Sequence, residues 1–366
     1  KFDAGLRGFM FAYWLMFFSV LFLSYTEREK IYTGEKVALR NMSAIYFFTL
    51  LLILLLIGFR VEVGGDWFSY IDALERMNGV ELNEVMLMSD PGYRLLNYVS
   101  FNLGFGIYGV NLACGFLFLI GLNAFCQTQP RPSLALLAAI PYLVIVISMG
   151  YTRQSVAIGL SMLAFTALIH RGLGRFIIYI LFASLFHKTA IILIPLAALM
   201  NSKNKFVSFI LILSVAFGAY FTLLSDSVDN LYKNYVEAEY HSTGALIRVA
   251  MCLVPSVFFL IFKRRFRINA TEYKVWLYFS YASIVCFVLV LVSPATTAID
   301  RVALYLLPIQ LVVLSHIPSV LPSKDNKGML IFIVTLYCFS VQFVWLFAGR
   351  VAYAWLPYKF YPFEML

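Results

Sequence analysis

The sequence predicts an all-α protein embedded in a lipid bilayer, with about ten helices that cross it. Hydrophobic residues make up 62% of the chain and charged residues only 13%, whereas a soluble domain carries roughly 45–50% apolar and about 25% charged residues. Apolar runs that approach the ~20 residues needed to cross a bilayer also recur from end to end. We therefore expect residues 1–366 to form a single transmembrane domain.

The predicted spans are the apolar runs that lie between charged residues or turn residues. They are placed at about 8–24, 43–59, 105–126, 132–149, 153–169, 205–224, 245–262, 275–293, 301–318 and 328–347.

Lysine and arginine in the connecting loops orient these spans, because cytoplasmic loops carry an excess of both residues. The basic loops, predicted to be cytoplasmic, are 25–42, 263–274 and 319–328. The loops 60–104 and 225–244 contain few lysines and are predicted to be extracytoplasmic.

One further apolar stretch, 176–199, is interrupted by His187 and Lys188. Both of its flanking segments are basic, so it has to return to the side from which it entered. Each arm is roughly 17 Å long at 1.5 Å per residue, about half a bilayer. The pattern therefore predicts a re-entrant helical hairpin with His187 at its tip, in the outer half of the membrane. Non-helical backbone at that depth is typical of a functional site.

The long loop 60–104 also contains helical patterns. Gly64-Gly65 permits a sharp turn, Asp66 suits a helix cap, and the apolar residues that follow Asp66 have helical spacing. This predicts a short helix on the extracytoplasmic surface. The turn Asp90-Pro91-Gly92 predicts the start of a second, half-buried helix.

Composition excludes several classes of function. The net charge of +9 comes largely from short loops between spans, so we expect no binding of nucleic acid. The five cysteines lie in or beside apolar segments without the spacing of metal ligands. They indicate neither a disulfide framework nor a metal site.

Ionisable residues near spans are costly unless they face a cavity or a partner, so they are the first candidates for function. Asp66, Arg153, His187 and Arg301 are all predicted to lie on the extracytoplasmic side. Each also has a structural interpretation. Arg153 suits a snorkelling anchor, Arg301 a surface pair with Asp300, His187 a hydrogen-bonded core residue, and Asp66 a simple helix cap.

A series of short motifs follows one order over nearly the whole sequence. They are Arg60-x-x-x-Gly64-x-Asp66-x-x-x-Tyr70, Asp90-Pro91-Gly92-Tyr93, Arg153-Gln154, Phe186-His187-Lys188-Thr189-Ala190, Arg301-x-x-x-Tyr305 and Leu356-Pro357-Tyr358. In these motifs and their order the chain resembles the EpsG branch of the Wzy-type bacterial polysaccharide polymerases.

The resemblance implies a polymerase that joins undecaprenyl-diphosphate-linked oligosaccharide units at the outer face of the bacterial inner membrane. Donor and acceptor are both lipid-linked, with no nucleotide sugar, no cofactor and no metal. A chain-length regulator and a flippase are the implied protein partners. We expect Arg153 and Arg301 to bind the leaving diphosphate, with Arg60 or Arg248 as a third group.

The acceptor hydroxyl needs a base, for which both Asp66 and His187 remain candidates. Tyr70, Gln154, Tyr305 and Tyr358 are expected to contact substrate. The lipid tail requires an apolar groove that opens sideways into the bilayer, and aromatic residues, 17% of the chain, suit its lining.

Three other functions compete with this interpretation. A lipid-linked oligosaccharide flippase or another transporter uses similar charges, although many transporters have repeated halves with paired broken helices. A membrane acyltransferase uses an intramembrane histidine but has no need of several arginines on one face. A lipid-to-glycan ligase is the enzyme that the sequence separates least well from a polymerase.

Overall fold

A computed structural model describes residues 10–27, 42–170, 172–195, 244–293, 296–321 and 327–364. Apart from two short strands, the regular elements in these ranges are helices. The first eight are α1 Phe11–Thr26, α2 Ala44–Gly58, α3 Trp67–Glu75, α4 Leu82–Leu87, α5 Pro91–Asn102, α6 Gly106–Gln127, α7 Pro132–Ala139 and α8 Thr152–His170. The others are α9 Leu173–Ser184, α10 Ala245–Phe262, α11 Ala270–Val292, α12 Thr296–Ala303, α13 Pro308–Val320, α14 Lys327–Ala348 and α15 Tyr361–Glu364.

Local sequence explains several of these helix starts. The Ser43 side chain accepts a hydrogen bond from the Tyr46 amide at the start of α2, and Asn269 accepts one from the Glu272 amide at the start of α11. Proline occupies the first turn of α5, α7 and α13, where its missing N–H costs nothing.

The all-α membrane architecture is confirmed, but the count of about ten spans is not. Five helices in the described ranges are long and apolar enough to cross a bilayer, namely α6, α8, α10 with its short extension to Arg265, α11 and α14. The segment predicted as a straight span at 301–318 is a broken one. It runs as Thr296–Leu306 and Pro308–Val320 with a bend of 43°, and it makes the count six if the pair is one span.

Three other predicted spans form shorter apolar helices: Phe11–Thr26, Ala44–Gly58 and Pro132–Ser148. The first two have 16 and 15 residues, about 24 Å at 1.5 Å per residue, less than the ~30 Å hydrocarbon core. In the third, α7 continues into the π-helix Ile140–Ser148, and every residue is buried. It forms the centre of the bundle. The predicted span 205–224 lies outside the described residues.

The interruption predicted at His187 is present. α9 ends at Ser184, residues 185–187 leave the helix, and a short 3-10 helix begins at Lys188 and ends at Leu193. The second arm of the predicted hairpin, from 196 onward, lies outside the described residues. The re-entrant path therefore stays a prediction.

The loop 60–104 folds on a small core of its own. α3 buries Trp67, Tyr70 and Leu74 on one face. They pack with Tyr93 of α5 and with residues of α6, α8 and the His187 segment, which are Ile107, Val110, Cys114, Val156 and Phe186. This second core ties the outer loop to two long helices, and it confirms the predicted helices after Asp66 and after Asp90.

The segment after α14 returns to this loop and fastens it. Strand β1 (Arg60–Val61) pairs antiparallel with β2 (Lys359–Phe360). The Gly64 amide donates to the Ala354 carbonyl oxygen at 2.8 Å, and the Trp355 indole donates to the Ile145 carbonyl oxygen at 2.8 Å. Residues 352–360 thus form a strap across the outer turn and the end of the π-helix.

Candidate active site

Asp66 stands at the end of a turn that only glycine permits. Gly64 has a φ of +107°, and a Cβ at that position would lie 2.3 Å from the Met149 carbonyl oxygen. The turn places Asp66 half-buried at the N-terminus of α3, where its side chain makes no capping hydrogen bond. The expectation that its carboxylate caps the helix is therefore wrong. The Tyr70 hydroxyl lies near the carboxylate and favours its charged form.

Arg153 lies in the first turn of α8, directly after the break that follows the π-helix. Its Nη1 donates to Oδ2 of Asp90 at 2.8 Å, and its guanidinium lies 5.8 Å from the centre of the Tyr93 ring. The Arg153 side chain is 41% exposed, whereas that of Asp90 is only 6% exposed. Arg153 is thus held at one edge by a buried carboxylate and keeps part of its guanidinium open.

His187 is brought to the same region by the Asp90-Pro91-Gly92 turn. The Gly92 amide donates to the Leu185 carbonyl oxygen at 2.9 Å. A Cβ at Gly92 would meet Leu185 and Phe186 at 3.1 Å, so glycine allows this close contact. Nδ1 of His187 is buried and has no hydrogen-bond partner among the residues that the structure describes.

Arg301 belongs to α12, and its neighbours connect it to the other motifs. The Gln154 side-chain amide donates to the Arg301 carbonyl oxygen at 2.9 Å. Four residues on, the buried Tyr305 hydroxyl lies 3.1 Å from the Thr189 hydroxyl. The Arg301 side chain itself is exposed, and no hydrogen bond or ion pair joins it to any described residue. The predicted surface pair with Asp300 is absent from these residues.

Electrostatics links the four predicted groups. Burial raises the pKa of Asp66, and the nearby charges of Arg153 and Arg301, with the Tyr70 hydroxyl, oppose that rise. Burial lowers the pKa of His187, and Arg153, Arg301 and Lys188 lower it further. Both arginines therefore act on both the carboxylate and the imidazole. Burial makes the carboxylate more basic against their effect, whereas burial and the arginines together keep the imidazole neutral.

The surroundings of Arg60 and Arg248 differ from those of Arg153 and Arg301. Arg60 is fully buried and donates to the carbonyl oxygens of Ile57 and Val63 and to the Thr152 hydroxyl. Two nitrogens of Arg248 donate to the two carboxylate oxygens of Asp300. These contacts favour a structural role for Arg60 over the predicted contact with diphosphate, and they show that Arg248 is already paired with a carboxylate.

The four predicted substrate contacts are mostly internal. Tyr70, Gln154 and Tyr305 are buried. Gln154 donates to the Arg301 carbonyl oxygen, Tyr305 contacts Thr189, and Tyr70 lies near Asp66. The Tyr358 hydroxyl donates to the Leu56 carbonyl oxygen at 2.7 Å. All four therefore support the site rather than line its open side, and a direct contact with substrate stays a prediction.

Asp90 is the functional candidate that sequence reasoning missed. Its carboxylate holds Arg153, and its second oxygen is buried without a hydrogen-bond partner in the described part of the chain. Its place in the Asp-Pro-Gly turn was the available signal. Within the same ranges no group of three or more His, Cys, Asp and Glu residues is arranged to hold a metal ion.

The sequence profile of the EpsG family matches residues 43–360. That match contains every element that contributes a residue to the site. No curated protein and no solved structure matches the chain. Because the profile covers most of the sequence, the chain belongs to the EpsG family.

Proposed function

We propose that this protein is a membrane glycosyltransferase that polymerises lipid-linked oligosaccharide units. It transfers the growing glycan from undecaprenyl diphosphate to the non-reducing sugar of a fresh lipid-linked unit. Membership of the EpsG family supports a polysaccharide polymerase-like role. The observation that carries the proposal is that Arg153 and Arg301 act on both Asp66 and His187.

The two arginines suit the leaving group. As the bond between the anomeric carbon and the diphosphate oxygen breaks, the diphosphate takes the bonding electrons and its negative charge grows. A guanidinium offers a planar fork of donors that matches phosphate oxygens and stays charged when desolvated. Arg301 has no side-chain partner among the described residues, and Arg153 is held in place by Asp90, so both can turn donors towards the diphosphate.

Asp66 is the better candidate for the base. The acceptor hydroxyl attacks the anomeric carbon and has to give up its proton as the new bond forms. A carboxylate whose pKa is raised accepts a proton more readily than an ordinary aspartate, whereas an imidazole whose pKa is lowered accepts one less readily. We assign proton acceptance to Asp66 and hydrogen bonding to the sugars or the diphosphate to the neutral His187.

The membrane setting follows from the same proposal. The loop that carries Asp66 is predicted to face the outside of the bacterial inner membrane, where lipid-linked units would meet the site. The bilayer holds the lipid tails of donor and acceptor. A flippase that delivers the units and a regulator of chain length are the proposed protein partners.

Purified protein in lipid nanodiscs, supplied with a synthetic undecaprenyl-diphosphate-linked repeat unit, tests the proposal. We expect a ladder of lipid-linked products that grow by one unit at a time, and no ladder with the Asp66→Asn variant. Transfer of the glycan only to a different, lipid-free or core-linked acceptor would identify a ligase. Movement of the unchanged unit across proteoliposomes, with no new bond, would identify a flippase. Either result contradicts a polymerase.

A further inference from the structure

A large groove lies beside the candidate active site, between α10 and α14. Its volume is about 770 Å³. Both flanking helices pack against α13, and the groove lies between them. Most of its lining is apolar and includes Met251, Val254, Val341 and Val344.

The groove has the length of one membrane leaflet. Its wall on α10 runs from Gly244 to Val254 and its wall on α14 from Tyr337 to Ala348. Each wall is about 15 Å long at 1.5 Å per residue, half of a ~30 Å hydrocarbon core. Several lining residues are strongly exposed, such as Ile247 at 67% and Val254 at 64%. In a bilayer these side chains face lipid.

Two arginines lie at one end of this groove. Arg248 lies one turn inside α10, and Arg350 follows the last residue of α14 by two positions. Both line the groove, together with the neighbouring Gly244 and Gly349. Arg248 is paired with Asp300. Arg350 is exposed and forms no hydrogen bond or ion pair with any residue in the described ranges.

The charged end adjoins the active site. Asp300 pairs with the groove residue Arg248, while the next residue, Arg301, acts on Asp66 and His187. Tyr151 lies near both regions. Burial raises its pKa most, and the charges of Arg248 and Asp300 act on it together with those of Asp66 and Arg301. Neighbouring residues of α12 therefore connect the groove with the candidate catalytic groups.

We propose that this groove holds the isoprenoid chain of the lipid-linked substrate, with its diphosphate at the end marked by Arg350. An anionic head group fits the positive end, and an unbranched path one leaflet deep fits the first part of a long apolar chain. Because the groove is only about one leaflet long, the rest of the chain stays in the bilayer. This inference rests on the proposed function and names the place where its lipid substrate enters.

Photocrosslinking in nanodiscs tests the groove independently of catalysis. The first probe is a polyisoprenyl diphosphate with a diazirine in the isoprene units nearest the diphosphate, and the second is the matching uncharged polyisoprenol with the diazirine at the same position. We expect the diphosphate probe to label peptides from 244–254 and 337–351. Excess unlabelled polyisoprenyl diphosphate should suppress this labelling, and the same excess of phosphatidylglycerol should not.

Two variants sharpen the test. Ala250→Trp fills the groove and should reduce labelling by the diphosphate probe at least ~10-fold, whereas Val257→Trp, on the same helix and outside the lining, should not. Arg350→Ala should weaken labelling by the diphosphate probe and leave labelling by the polyisoprenol unchanged. Folding of each variant is checked by its elution as a single monodisperse peak.

The possible outcomes separate this inference from the polymerase proposal. Wild-type labelling of Ala250→Trp, or equal competition by phosphatidylglycerol, would overturn the groove assignment even if the wild-type protein makes polymer ladders. Labelling that is confined to the groove and lost in Ala250→Trp would support the groove even if no ladder forms. In that case the polymerase proposal alone would fail.

Discussion

Two pairs of arginines on the predicted outer side, Arg60 with Arg248 and Arg153 with Arg301, differ in what surrounds their guanidinium groups. Around Arg60 and Arg248 the guanidinium donors meet carbonyl oxygens, a threonine hydroxyl and the Asp300 carboxylate. The Arg153 side chain is 41% exposed, and the Arg301 side chain has no partner in the described ranges.

The difference teaches how to separate structural cations from binding cations. A buried charge is tolerated only when its donors are satisfied from within the protein. A cation that binds a ligand has to keep donors open, and it needs an anchor that fixes its direction. Asp90 provides that anchor for Arg153. The predictions below test this division, from the largest expected effect to the smallest.

Removal of the Arg248 charge should destabilise the protein most. Arg248→Met removes the cation that donates to both carboxylate oxygens of the buried Asp300, and loss of one partner of a buried pair typically costs about 3–5 kcal/mol. We expect a large fall in the thermal unfolding temperature of the purified protein in detergent. The adjacent change Arg301→Met should leave that temperature nearly unchanged, because the Arg301 side chain is exposed.

The double variant Arg248→Met/Asp300→Leu provides the control. It removes both charges, so part of the lost stability should return. Equal stability losses for Arg248→Met and Arg301→Met would contradict the division between structural arginines and binding arginines.

Asp66→Asn should have the largest effect on turnover among the site variants. The amide keeps the shape of the side chain but cannot accept the proton, so we expect a loss of at least ~100-fold, about 2.7 kcal/mol of transition-state stabilisation. Initial rates of ladder formation measure it. His187→Asn should cost less, and the reverse ranking would assign the base to His187.

Arg153→Lys and Arg301→Lys should each lower turnover at least ~10-fold, about 1.4 kcal/mol, without loss of folding. Lysine supplies a point charge in place of a planar fork, so it stabilises a leaving diphosphate less well. Arg76→Lys, at an exposed arginine of the loop 60–104, is the matched control and should behave as wild type. Wild-type rates in both site variants would indicate snorkelling anchors, for which lysine serves as well.

The smallest effect concerns pH. If ionised Asp66 accepts the proton, turnover falls as the pH drops through its raised pKa. The charge of Arg301 lowers that pKa, so Arg301→Gln should raise it further and move the acidic limb of kcat/KM to higher pH. The shift should be below about one pH unit, since solvent and salt screen an exposed cation. A shift to lower pH would contradict the assignment.

Much of the helical arrangement could be predicted from hydropathy, but the lengths of the helices could not. α6 and α14 begin and end close to the predicted bounds. The helix at 132–148 has the same hydropathy signature as a span, and only packing shows that all its faces are buried. Hydropathy measures apolarity, and it does not distinguish a lipid neighbour from a protein neighbour.

The sequence predicted that four candidate residues would lie near one another, but it did not predict their partners. Order along the chain sufficed to group Asp66, Arg153, His187 and Arg301, because each has a polar side chain at the predicted outer end of a segment. The pairing of Arg153 with Asp90 and of Arg248 with Asp300 depends on three-dimensional neighbours that lie 63 and 52 positions away. No local pattern encodes such pairs.

The strap at residues 352–360 is synthesised after the candidate site residues, so it determines when the site is complete. A Cβ at Gly150 would lie 2.3 Å from the Trp355 ring. The Gly64 amide donates a hydrogen bond to the Ala354 carbonyl oxygen. Arg153 leaves the ribosome about 200 residues before Trp355, roughly 10–40 s at 5–20 residues per second. Throughout that interval the candidate catalytic groups lack their final support, so under the proposed function a partly inserted chain would not yet act on its substrate.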